Sequence, residues 1–196
     1  SYIARGLMGA AILESALMPG RDEALSLMRR LSVQSDDDPL AAVYVALTEG
    51  HIAIMFCEPT RLQRASESAL HLLEEGTVGR VKERSIARTL LLSAHFQRGD
   101  LAALHRAALP WLEEASRQQN DDLRAWIHIY LAIHHLASGQ PARARASLAS
   151  ANRFGEEEPP DIVAAAIGQY HALCDAYEGR LEGWENLPLT EEPFYN

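Results

Sequence analysis

Histidine is the residue type whose spacing in this chain first suggests chemistry. His128, His134 and His135 share one predicted helix, and His95 occupies in the preceding repeat the place that His135 occupies here. Zinc needs several ligands that converge on one point, and a pair of imidazoles four residues apart on a helix would supply two of them. Because that spacing is missing, we predict no metal site. We interpret His134 as a core residue, and His128 and His135 as residues on the wall of a groove.

Paired carboxylates could act as a general acid and base, and Glu74-Glu75 and Glu113-Glu114 are two adjacent pairs of this kind. Neighbouring residues on a helix point about 100 degrees apart, so the two members of a pair would not face one substrate. We interpret both pairs as parts of solvated helix faces.

A phosphate-binding loop requires a lysine at a fixed place after its glycines. The single lysine, Lys82, lies in Gly79-Arg80-Val81-Lys82-Glu83, where the spacing is wrong and no Ser or Thr follows. The kinase motifs and the Gly-x-Ser-x-Gly nucleophile motif are also missing from the sequence. We therefore expect a protein that is not an enzyme and that uses no cofactor.

Basic and aromatic residues recur along one predicted face of successive helices. At positions i, i+4, i+7 and i+11 the residues are Arg84, Arg88, Leu91 and His95, then Arg124, His128, Leu131 and His135, then Ala164, Gly168, His171 and Asp175. Forked arginine contacts favour carboxylates and phosphates. The pattern predicts a groove for an acidic protein or peptide segment at Arg84, Arg88, His95, Arg124, His128, His135 and His171. The alternative is that this stripe only solubilises a helix face, and the residues leave both interpretations open.

Turn signals divide the chain at a regular interval and define the elements that would position these residues. They stand at Pro19-Gly20, Glu58-Pro59, Gly99-Asp100, Gly139-Gln140 and Gly179-Arg180. They recur about every 40 residues, and a fixed interval of this size is typical of stacked supersecondary units. The composition, rich in Ala and Leu, favours helices on both sides of each turn.

Each turn is expected to join a longer first helix to a second helix. The first helices are predicted at 3–17, 40–56, 81–98, 123–138 and 162–178, and the second at 21–31, 61–75, 101–116 and 141–154, with another beginning at Leu181. Acidic clusters at 36–38, 120–122 and 156–161 are typical of helix starts. A buried row is predicted at Ile86, Leu90 and Ala94, at Trp126, Tyr130 and His134, and at Ala166, Tyr170 and Cys174.

These elements predict an all-α fold, a right-handed α-solenoid of antiparallel helix pairs with a period of about 40 residues. One helical repeat domain of about four and a half pairs would cover residues 1–187, and a C-terminal extension residues 188–196, since prolines at 188 and 193 oppose a continued helix.

Composition narrows the class of partner and the compartment. The formal net charge of −9 opposes binding to a nucleic-acid backbone. Apolar runs are far shorter than the roughly 20 residues that cross a bilayer, so no membrane partner is expected. Cys57 and Cys174 belong to no paired motif, which favours the cytoplasm. Because the chain begins at Ser1 without an initiator Met, we expect a piece of a longer protein with attached domains.

The segments Gln97-Arg98-Gly99-Asp100-Leu101-Ala102-Ala103-Leu104 and Tyr177-Glu178-Gly179-Arg180-Leu181-Glu182 resemble tetratricopeptide-type repeats. The likeness spans nearly the whole chain and is strongest to the repeats found behind the kinase or signal-transduction ATPase portions of large bacterial regulatory proteins. It implies a sensing or scaffolding role in a signalling protein.

Two functional hypotheses follow from the sequence. The first is a non-catalytic protein-interaction module, a scaffold or sensor, that holds a protein segment. The alternative is a regulatory domain that binds a small-molecule effector near Trp126, Tyr130 and Tyr170 and transmits the change to an attached domain.

Overall fold

The described residues form helices that begin and end close to the positions that the sequence predicts. This computed structural model describes residues 21–33, 39–75, 80–153 and 161–180. The helices are α1 (Arg21–Val33), α2 (Pro39–Met55), α3 (Pro59–Glu75), α4 (Val81–Gln97), α5 (Leu101–Arg117), α6 (Asp121–Ala137), α7 (Pro141–Ala151) and α8 (Asp161–Tyr177). Their ends differ from the predicted ends by at most three residues. The predicted helix 3–17, the turn at Pro19-Gly20 and the helix from Leu181 lie outside the described residues.

Three described glycines at the predicted turns, Gly99, Gly139 and Gly179, end their helices in a left-handed conformation. Gly99 has a φ of 69°. Its amide donates to the carbonyl of Phe96 at 2.9 Å, and the amide of Asp100 donates to the carbonyl of His95 at 2.9 Å. This pair of bonds is the Schellman motif, in which glycine avoids the steric cost of a positive φ. The same two bonds close the helices that end before Gly139 and Gly179.

The starts of the helices also follow local chemistry. Proline is the first residue of α2, α3 and α7. The amide at this position makes no hydrogen bond within a helix, so proline, which lacks the amide hydrogen, is tolerated there. Asn120 precedes α6, and its Oδ1 accepts a hydrogen bond from the amide of Leu123 at 3.2 Å. The cap predicted at 120–122 is therefore present, whereas 36–38 and 156–160 lie outside the described residues.

Three of the longer helices recur at a constant interval. α4, α6 and α8 each contain 17 residues. They begin at residues 81, 121 and 161, so the two intervals between successive starts are equal. Each ends in a glycine turn, so the helix bounds reproduce the interval that the turn residues indicate.

The chain divides into two compact units, and the first is Ser1–Asp100. Within it α2 packs against α1, α3 and α4, and α3 packs against α4. Leu47, Ile52 and Ala53 of α2 are fully buried. Gly50 lies so close to α4 that a Cβ there would be 2.9 Å from Leu90 Cδ1. Helix α2 is therefore the centre of this unit.

The second compact unit is Leu101–Asn196. Within it α6 packs against α5, α7 and α8, and α7 packs against α8. Ile127 and Ile129 of α6 and Leu148 of α7 are almost fully buried. Only three residues of α8 are buried, namely Val163, Ile167 and Cys174. Helix α6 is the centre of this unit, and α8 contributes one face to its core.

The described residues thus form an all-α protein whose helices pack mostly with their sequence neighbours. Of the predicted core row, Leu90, Ala94, Tyr130 and Cys174 are buried and the other members are half-buried. None of the described helices is both long enough and apolar enough to cross a membrane. The single domain over residues 1–187 stays a prediction, and the extension at 188–196 lies outside the described residues.

Candidate functional site

In the first unit, the predicted groove residues of α4 are packed rather than fully presented to solvent. Arg84 is half-buried, and its Nη2 donates to the carbonyl of Leu73 at 3.4 Å, near the end of α3. Arg88 is only 9% exposed, and His95 is half-buried. A side chain as buried as Arg88 is poorly placed to contact a partner unless the surroundings move, so its role in binding stays a prediction.

In the second unit, Arg124 of α6 holds the C-terminal end of α7. Its Nη2 lies 2.7 Å from Asp121 Oδ1 and also donates a hydrogen bond to the carbonyl of Arg153. Arg153 follows the last turn of α7, and its own side chain is exposed. The sequence predicts Arg124 as a groove residue. It could not predict the contact with Arg153, because that contact depends on the packing of α6 against α7.

His128 stands one helical turn after Arg124 and is half-buried. Its Nδ1 is buried without a hydrogen-bond partner. Burial lowers the pKa of this imidazole, and the positive charges of Arg124 and Arg153 lower it further. The ring is therefore neutral at pH 7. We name Arg124, His128 and Arg153 the α6 basic cluster.

A second group of histidines lies near the other end of α6. The rings of His105 in α5 and His134 in α6 stack with centroids 4.6 Å apart, and His135 meets His134 edge-on at 5.6 Å. Burial lowers the pKa of His134 and of His135. The charge of His105 adds to the effect at both rings, and that of Arg143 adds to it at His135. These contacts make His134 a helix-packing residue.

His171, the groove residue predicted on α8, lies beside an ion-pair network. Burial lowers its pKa, Arg145 lowers it further, and Asp175 partly opposes them. Arg145 of α7 binds Asp175 at 2.6 Å and Glu178 at 2.8 Å, and Arg180 binds Asp175 at 3.0 Å. The network ties α8 to α7, and Asp175, the last residue of the predicted stripe, belongs to it.

The described residues also include the carboxylates and aromatic side chains that the sequence offered for acid–base chemistry and effector binding. No group of three or more His, Cys, Asp or Glu side chains among the described residues could hold a metal ion. Glu113 pairs with Arg117 at 3.2 Å on an exposed face. Of the residues around which an effector was predicted to bind, Tyr130 is buried and Trp126 and Tyr170 are half-buried. The effector hypothesis stays a prediction.

The structure brings together some residues that sequence reasoning kept apart or missed. Arg124 and His128 were predicted, whereas their neighbour Arg153 was not, because it lies 29 residues after Arg124 at the end of another helix. His105 was missed for the same reason. The available signal was the hairpin itself, since antiparallel packing of α5 on α6 brings the start of one helix near the end of the other.

Fold and site together define a class: an all-helical protein of sequentially packed helices that carries a basic cluster on a central helix. The chain matches none of the protein-family models, curated proteins or solved structures with which it was compared.

Proposed function

We propose that this chain is a non-catalytic interaction module that binds an acidic protein segment. In this proposal its helix pairs stack as a right-handed, tetratricopeptide-like solenoid, and the chain serves as a scaffold or sensor within a larger bacterial regulatory protein. The α6 basic cluster is the observation that carries the binding part of the proposal.

The constant interval of the helices supports the repeat part of the proposal. α4, α6 and α8 have equal lengths and equally spaced starts, and each ends in a glycine turn with the same two hydrogen bonds. Units that repeat in this way bury their apolar faces against their neighbours, and the resulting extended surfaces are commonly used to bind protein segments.

The charge distribution supports an acidic partner. The whole chain has a formal net charge of −9. Even so, two arginines and a histidine meet at the α6 basic cluster, with Asp121 as the acidic residue paired to Arg124. The local positive charge favours an anionic ligand at the cluster, whereas the net negative charge of the chain disfavours nonspecific attachment to nucleic acid.

The resemblance to repeats of bacterial regulatory proteins supports the scaffold or sensor role. Such a module would act by holding a partner, or a segment of its parent protein, in a defined place. Reducing conditions suit the two cysteines, which are both free, Cys57 exposed and Cys174 buried.

Fluorescence anisotropy with the intact chain tests the proposal. The probe is a labelled Glu-rich peptide with interspersed Ala and Leu, acetylated and amidated so that its charge comes from side chains. Its Gln-for-Glu counterpart is the control. We expect tighter binding of the Glu peptide and a loss of affinity as salt is added, because exposed charges are screened. Equal affinity for the two peptides, or no binding of either, would overturn the proposal.

A further inference from the structure

The α6 basic cluster has hydrogen-bond donors that the fold leaves unused. Arg124 makes both of its contacts, to Asp121 and to the carbonyl of Arg153, through Nη2 alone. A guanidinium carries five N–H donors, so the donors on Nε and Nη1 remain for another group. The two contacts also hold the guanidinium in place, which lowers the entropy cost of binding through its remaining donors.

His128 presents a donor because of how its ring is buried. Nδ1 is buried and has no hydrogen-bond partner. A proton on that nitrogen would be a buried N–H donor without an acceptor, and such donors are rarer in folded proteins than acceptors with an unused lone pair. The proton of the neutral ring therefore resides on Nε2. Nε2 is not among the buried unpartnered atoms and makes no hydrogen bond within the described part of the chain, so it points a donor toward solvent.

Arg153 supplies a positive charge that no described residue neutralises. Its side chain is exposed, and it forms no ion pair within the described residues. Its backbone is fixed by the hydrogen bond from Arg124. Its charge lowers the pKa of His128, which stands one helical turn after Arg124. Arg124 thus contacts the backbone of Arg153 and precedes His128 by one turn, and among the described residues the carboxylate that contacts Arg124 is that of Asp121.

We propose that Arg124, His128 and Arg153 form a binding site for the side-chain carboxylate of a Glu or Asp in the partner segment. In this site Arg124 and His128 donate hydrogen bonds to the carboxylate oxygens, and Arg153 adds an ion pair at the rim. A carboxylate accepts several such donors, and charge-assisted bonds are stronger than neutral ones. The site deepens the proposed function and rests on it.

Arg153→Gln is the central variant. It removes the charge of an exposed side chain, and it breaks no ion pair or hydrogen bond of that side chain with the described residues. Arg106→Gln removes an exposed arginine of α5 and is the matched control. We expect Arg153→Gln to weaken binding of the Glu peptide about fivefold, the effect of an ion pair at a partly exposed site. Binding of the Gln counterpart should not change, and Arg106→Gln should behave as the unmodified chain.

His128 is tested by a pair of substitutions that separate donation from packing. His128→Leu removes the Nε2 donor and keeps an apolar body, whereas the amide nitrogen of His128→Gln can still donate. We expect the Leu variant to lose affinity for the Glu peptide and the Gln variant to retain most of it. Thermal unfolding by circular dichroism checks that each variant is folded.

Nitrogen NMR of the His128 ring distinguishes ligand binding from a purely structural role, because only binding would change the Nε2 signal. We expect the free chain to show the tautomer protonated at Nε2, and the Nε2 signal to shift when the Glu peptide is added but not when the Gln peptide is added. A proton on Nδ1, or an Nε2 signal that does not change when the Glu peptide is added, would overturn the proposed carboxylate site.

Two failures are distinguishable. If the intact chain prefers the Glu peptide but Arg153→Gln and His128→Leu bind it as Arg106→Gln does, the carboxylate binds elsewhere; the site is then wrong and the proposed function stands. If the intact chain does not prefer the Glu peptide, the proposed function fails and the site fails with it.

Discussion

The hydroxyl of Tyr44 donates a hydrogen bond of 2.6 Å to Oε1 of Glu83 and so joins α2 to α4 in the first unit. The two residues are 2% and 8% exposed. A buried carboxylate is costly unless hydrogen bonds compensate for its lost hydration. The bond therefore favours the faces of α2 and α4 that meet, because rotating either helix would break it.

Tyr44→Phe should destabilise the chain by about 1–3 kcal/mol, since it removes one hydrogen bond from a buried carboxylate and adds no new partner. Urea denaturation followed by circular dichroism measures the change in the free energy of unfolding. Tyr177→Phe is the matched control, because that side chain is 58% exposed and its variant should change stability by less than about 0.5 kcal/mol. Equal effects of the two substitutions would contradict the argument.

Two glycines inside helices should respond in opposite directions to alanine. Gly168 in α8 is exposed, and a Cβ there meets nothing within 4 Å, so Gly168→Ala should stabilise the chain by about 0.5–1 kcal/mol through helix propensity. In Gly50→Ala the new methyl would lie 2.9 Å from Cδ1 of Leu90, which is 4% exposed, and we expect overpacking of about 1–3 kcal/mol to outweigh the same propensity gain. Thermal unfolding of the two variants measures the signs. A stabilising Gly50→Ala would show that Leu90 can move aside.

Acidification should weaken the packing of α5 on α6 through the histidine group. Burial lowers the pKa of His134 from its ordinary value of 6.5, and the charge of the stacked His105 lowers it further, against a hydrogen bond with the backbone of Leu101. His135 is lowered by burial, by His134, by Arg143 and by His105. The native chain thus binds fewer protons than the unfolded chain near pH 6.5 and below.

The free energy of unfolding should therefore be largest above pH 6.5 and should fall as the pH drops through that value toward the lower native pKa. His134→Gln should reduce this dependence, because glutamine does not titrate. Urea denaturation of both proteins over a series of pH values measures it. An equal pH dependence with and without His134 would contradict the prediction.

Arg145 should hold α8 on α7 through Asp175 and Glu178, and hydrogen bonds from Arg145 and Arg180 hold the pKa of Asp175 below its ordinary value. Arg145→Gln should therefore speed the hydrogen exchange of amides in α8 more than that of amides in α6, because α8 has few buried residues to retain it. Mass spectrometry of the exchanged peptides measures both rates. Arg117→Gln, which removes an arginine from an exposed ion pair, should leave the exchange of α8 unchanged. If Arg145→Gln changes the exchange of all helices equally, Arg145 does not specifically hold α8 on α7.

Local features of the fold could be predicted because their causes are local. A glycine ends a helix wherever the chain needs a positive φ, and Gly99, Gly139 and Gly179 do so at the predicted positions. Asn120 caps α6 through its own side chain. The sequence alone therefore determined the helices, their turns and the interval between them.

The accessibility of the predicted binding residues could not be obtained in the same way. The stripe treats Arg88 and Arg124 as members of one helix face. Arg88 is nevertheless 9% exposed, whereas Arg124 holds the end of α7. Helical periodicity predicts the side of a helix on which a side chain lies. Whether that side chain is buried depends on the neighbouring helices, which come from other parts of the sequence.

The sequence by itself determined an all-helical chain with regular hairpin turns and basic residues aligned on successive helices, because propensity, capping and periodicity act over a few residues. Only the tertiary structure decided that Arg124 binds the backbone of Arg153, that His105 stacks on His134, and that Tyr44 binds Glu83. These contacts join residues 29 to 39 positions apart, and packing of whole helices sets their distances.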